Sequence, residues 1–119
     1  MIQVNTTLHT KSNLTIATGS VLDVMTSIKS NNNGTHVTHS IHYAFTHYKN
    51  ISDYETMKPR IMDCMEFKYN FVYDMTAQEF EDLDTETGVL STVLRWAQDW
   101  LESQVGAANT SVVFPFANN

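Results

Sequence analysis

Four of the chain's five histidines fall within "THVTHSIHYAFTHY", residues 35–48, and histidines at this density raise the chemistry of zinc. Co-ligation needs donor nitrogens about 2 Å from one ion, and on an extended strand only residues two apart are neighbours on one face. His36, His39, His42 and His47 contain no such pair. His36 and His42 share a face but lie about 20 Å apart along a strand, and His39 and His47 about 27 Å apart. The segment cannot build a metal site by itself. His9 or a neighbouring copy of the chain would have to complete one, and the ordinary reading is of polar-face and edge histidines, with no metal ligand assigned.

Other chemistry fares no better. Cys64 is the lone cysteine and has Asp63 beside it and Glu66 nearby, carboxylates that oppose formation of the thiolate a nucleophile needs. The acidic run "EFEDLDTE" holds Glu79, Glu81, Asp82, Asp84 and Glu86, but calcium loops alternate their ligands and carry a glycine at the sixth place. The run reads as the solvated face of one helix and the acidic start of the next, where the helix dipole favours negative charge. With only four glycines, none clustered, a phosphate-cradling loop is absent. No catalytic and no cofactor-binding residue is assigned, and the chain is read as a non-enzyme.

The elements that position these residues are easier to read. "NNNGT" contains Asn33-Gly34, the strongest short signal for a two-residue type I′ turn. A hairpin over 21–48 built on it pairs Leu22 with Phe45, Val24 with Tyr43, Thr26 with Ile41 and Ile28 with His39, which makes one face almost wholly apolar. Asp23 and Ala44, Met25 and His42, Ser27 and Ser40, and Lys29 and Thr38 share the other. A one-residue slip would invert every side chain, so turn and pattern support one another.

Ile2, Val4, Thr6 and Leu8 alternate before the hairpin, and "NLTIATGS" is a second short extended piece, which predicts an amino-terminal strand or pair. "YKNISDYETMKP" is a connecting loop with room for one helical turn. Across 65–75, Met65, Phe67, Tyr69, Phe71, Tyr73 and Met75 share a face, and an aromatic stripe at period two is the core side of a strand. At Thr76 the period changes. Thr76 with Glu79 makes a capping box, and Met75 with Phe80 is spaced as a hydrophobic staple. Helices are expected over about 76–84 and 87–105. The second presents Val89, Val93, Trp96, Ala97, Trp100 and Leu101 to the sheet and ends at Gly106 in a left-handed cap. "TSVVFPF" follows as an extended segment that Pro115 confines to an edge or an arm. The order predicts one domain over 1–119, of α+β class, with an antiparallel sheet covered on one side by the helical pair.

Composition narrows the function. The net charge of −6, with seven Lys and Arg, argues against binding a nucleic-acid backbone. No apolar stretch approaches a spanning helix, and "MIQVNTTLHT" lacks the plan of a secretion signal. A lone cysteine fits a reducing compartment, and the sequons at Asn5, Asn13, Asn33, Asn50 and Asn109 are read as unmodified. Thr, Ser and Asn take 34 positions, a surface texture that hydrogen-bonds a partner at less desolvation cost than ions.

That texture, with the edge segment "SVVFPF", resembles small virion proteins of tailed bacteriophages: neck, head-completion, tail and capsid accessory components. The resemblance implies a homo-oligomeric ring or shell within a virion, assembled in the bacterial host cytoplasm. Its partners would be other copies of itself and other virion proteins, with no membrane and no cofactor, and Val112, Val113, Phe114 and Phe116 are the subunit-interface candidates. The alternative from another class is a small acidic binding or inhibitory protein whose carboxylates occupy a basic groove of a partner.

Overall fold

The structure, a computed structural model, describes residues 1–62, 65, 67–85 and 88–116, with the backbone alone at 84 and 85. Cys64, Asp63, Glu66 and Glu86, and the side chain of Asp84, lie outside the described residues, so the readings of the cysteine and of part of the acidic run stay with the sequence. Strands β1 (Ile2–Val4), β2 (Leu8–His9), β3 (Thr15–Ile16), β4 (Ser20–Asn32) and β5 (Val37–Tyr48) precede helix α1 (Ile51–Glu55). Then come β6 (Asn70–Met75), α2 (Ala77–Thr85), α3 (Val89–Val105) and β7 (Thr110–Val112). The main sheet is antiparallel in the order β6-β5-β4-β1-β7, and β2 with β3 forms a separate small ladder. The α+β class with helices over an antiparallel sheet is what the structure has.

The hairpin keeps the expected faces but not the expected partners. Leu22 lies opposite His47, Val24 opposite Phe45, Thr26 opposite Tyr43 and Ile28 opposite Ile41, a shift of two residues from the register of a type I′ turn. Two residues is one full side-chain period, so the apolar and polar faces survive the shift. The loop holds four residues because Asn side chains displace the tight turn. Asn33 Oδ1 accepts from the backbone N–H of Thr35 (3.0 Å) and of His36 (3.0 Å), and Asn32 Oδ1 accepts from Gly34 N–H (2.9 Å). Asx bonds of this kind compete directly with backbone turns, and only Gly34, at φ 90°, takes a positive φ in the loop.

The 65–75 strand is also shorter than its alternation predicts. Among the described residues the chain joins β5 from Tyr69 onward, whose carbonyl accepts from Phe45 N–H at 2.8 Å. Further down, Ile61 N–H occupies the His47 carbonyl (2.8 Å), and Met65 bridges to Thr10 instead. The aromatic stripe still reaches the core: Met65 and Met75 are buried, and Phe67, Tyr69, Phe71 and Tyr73 pack against the same cluster.

Local signals set the helices. Asn50 caps α1 by accepting from Asp53 N–H (2.8 Å). At α2, Thr76 Oγ1 accepts from Glu79 N–H (3.1 Å) while Glu79 Oε1 accepts from Thr76 N–H (3.0 Å), the reciprocal capping box. Phe80 stacks on His39, with centroids 3.6 Å apart. Helix α3 buries Leu94, Trp96, Ala97 and Leu101, so its apolar stripe turns slightly from the expected one: Leu94 takes the place of Val89, which stays exposed. Trp96 stacks on Tyr73 (4.5 Å) and Trp100 on Phe71 (4.4 Å), covering the sheet. Gly106 ends α3 at φ 104° and ψ 147°, an extended positive-φ conformation instead of the left-handed helical one expected. The positive φ favours glycine there, and a Cβ would also push aside the Asn109 amide, whose Nδ2 lies 2.7 Å from its place.

Candidate interaction surfaces

The histidines disperse. His36 sits in the hairpin loop, His39 is held by Ser30 Oγ (2.7 Å) and Phe80, and His42 lies on the outer face of the sheet near Ser40. His47 corrects the expectation of a polar-face or edge histidine. It is 1% exposed, on the inner face, with Nδ1 3.0 Å from Tyr69 Oη. Burial pushes its pKa down to about 4, and it is neutral at physiological pH. Among the described residues no three of His, Cys, Asp and Glu come together as metal ligands would.

The acidic run is partly committed to the fold. Glu79 receives the Thr76 N–H and the Tyr73 hydroxyl (2.5 Å), and those bonds hold its carboxyl below the usual range. Tyr73, in return, is pushed up to about 12, first by its bond to Glu79 and then by burial. Tyr43 Oη donates to the Val93 carbonyl (2.8 Å), tying β5 to α3. These are positioning bonds inside one packed body.

Of the interface candidates, Val112 lies in the chain's own sheet and Val113 continues its pairing. Val112 pairs with Ile2, and Val113 N–H donates to the Met1 carbonyl (3.0 Å). Asn5 Nδ2 donates to Ser111 Oγ (3.1 Å), and Gln98 Nε2 to the Thr110 carbonyl (3.2 Å). Beyond this strand Phe114 remains 61% exposed, beside Leu90, Leu94 and Arg95 of α3, and Phe116 lies near Tyr54 with its N–H on Glu55 Oε2. The apolar segment closes the sheet and still leaves its tip on the surface.

A surface that sequence reasoning missed lies at the other end of the sheet. β4 runs thirteen residues, yet β1 covers it only over Ser20–Leu22. From Val24 to Asn32, β4 has a strand on one side only among the described residues, and from Met25 on every residue is exposed. Here the sheet is three strands wide, β4-β5-β6, and apolar side chains stand in solvent: Met25 at 64%, Ile28 at 54% and Val72 at 51%. The only local signal was the length of alternation on either side of the turn. Which strand would fail to cover it is a long-range fact.

Among the described residues no helix is long and apolar enough to cross a membrane. Compared with protein-family models, curated proteins and solved structures, the chain matches none of them.

Proposed function

We propose that this chain is a non-enzymatic structural subunit that assembles with copies of itself into a ring or shell. The observation that carries the reading is the three-stranded end of the sheet, where Met25, Ile28 and Val72 are more than half exposed beside strand edges that no other strand pairs among the described residues. Natural sheets cover, twist or heavily charge such edges because they template pairing with another chain. This one carries a single lysine, Lys29, among neutral residues from Val24 to Asn32. The narrower reading, a neck, tail or capsid component of a bacteriophage virion that contacts other virion proteins, rests on the neutral polar composition and on this open architecture. The test is the solution mass of the purified protein by light scattering across concentration. A discrete oligomer, or one that forms as concentration rises, is expected; a single chain at every concentration overturns the reading.

A further inference from the structure

The three-stranded end of the sheet has two open edges, and they differ. On one side stands β4 from Val24 to Asn32. On the other stands β6, which pairs only with β5 among the described residues. β4 and β6 each run antiparallel to β5 and are therefore parallel to one another. The pairings define levels across the sheet: Ile28, Ile41 and Tyr73 share one, Ser27, His42 and Val72 the next, and Lys29, Ser40 and Asp74 a third.

We infer that β4 of one copy adds in parallel to the outer edge of β6 of a second copy, joining their sheets head to tail. This deepens the assembly reading and rests on it. Three features select this occupant. First, the β6 edge is bordered by a groove of about 460 Å³ between β6 and α3, walled by Phe71, Tyr73, Trp96 and Trp100. Ile28, more than half exposed, is the inner-face residue that an added β4 strand would present there. Second, if the copies meet level with level, Lys29 of one copy comes beside Asp74 of the next on the outer face, opposite charges in place of like ones. Third, the same level sets Ile28 beside Tyr73 and Ser27 beside Val72, so inner side chains meet inner and outer meet outer. Pairing of β4 with a second β4 offers neither the aromatic groove nor the charge match, and it would leave Asp74 and the β6 edge uncovered.

The contact is heterologous: each copy offers one edge and receives on the other. Such a contact closes into a ring when the rotation between copies divides the circle and otherwise continues as a filament. About six residues of ladder, some 20 Å, join each pair.

Two variants, each at exposed positions, separate the edges. Ile28→Glu together with Lys29→Glu spoils the β4 edge alone, and Val72→Glu spoils the β6 edge alone. Circular dichroism first establishes that both keep the fold. Each variant by itself is expected to fall to the mass of a single chain. Mixed, they are expected to form one-to-one pairs and nothing larger, because one sound edge of each kind remains. A Val72→Glu chain that still assembles alone would mean that β4 pairs with itself. Assembly of both variants alone would place the contact elsewhere. Either result overturns this inference while leaving self-assembly standing, whereas a wild-type chain that is single at every concentration removes both.

Discussion

His47 Nδ1 lies 3.0 Å from Tyr69 Oη, and its Nε2 is buried with no hydrogen-bond partner among the described residues. The ring is neutral, and Tyr69 can satisfy only one of its two nitrogens. A charged imidazolium would carry a proton on Nε2 into an apolar site, which is why burial lowers the pKa from 6.5 to about 4.

That relationship makes stability depend on pH in a defined window. The unfolded chain binds a proton at His47 near pH 6.5 and the folded chain only near 4, so between these values the unfolded state holds more protons and stability rises with pH. The contribution is complete above about pH 6.5 and lost on descending toward 4, amounting to about 3 kcal/mol at most. Urea unfolding between pH 7.5 and 4.5 is expected to show a falling midpoint. In His47→Phe the slope over this window should flatten; an unchanged slope would assign it to other groups.

The capping box of α2 carries a second expectation. Thr76→Ala removes the acceptor for Glu79 N–H and is expected to cost about 1 kcal/mol, read as a lowered denaturation midpoint. Glu79→Gln removes the negative charge that holds the Tyr73 hydroxyl, and the phenol should then titrate well below about 12, toward the usual 10.0. Absorbance titration of the tyrosines measures it, and a Tyr73 value that did not move would mean that burial governs it.

Deleting residues 111–119 tests the role of the closing strand. Val112 and Ser111 pair with β1, and Ile2 and Val4 beneath it are fully buried. Their exposure is expected to lower stability measurably in chemical denaturation. If the strand belonged functionally to a neighbour, the deletion would lower the oligomeric mass and leave the denaturation midpoint of the single chain in place.

Much of this molecule was legible locally. Alternation placed Leu22, Val24, Ile41, Tyr43 and Phe45 on one face of the hairpin, because side chains on a strand repeat every two residues wherever the partner lies. Thr76 and Glu79 marked the start of α2, and Trp96 and Trp100 the covering face of α3, because caps and helical faces are set within a turn or two of chain. The aromatic stripe of Phe71 and Tyr73 was assigned to the core on the same ground.

What tertiary structure alone decided lies beyond that reach. The partner of Leu22 is His47 and not Phe45, since a shift of two residues leaves both faces intact and Asn33 draws the loop into four residues. His47 is buried where Tyr69 and the chain at Ile61 close on the foot of β5. The open edges of β4 and β6 depend on strand order, on a short β1 and on β7 returning to it, pairings between residues a hundred apart that no local period encodes. Local periodicity was enough to show most of the side chains that face the core, because it repeats within a few residues, whereas the burial of His47 and the strand edges left unpaired among the described residues follow from long-range packing and strand order.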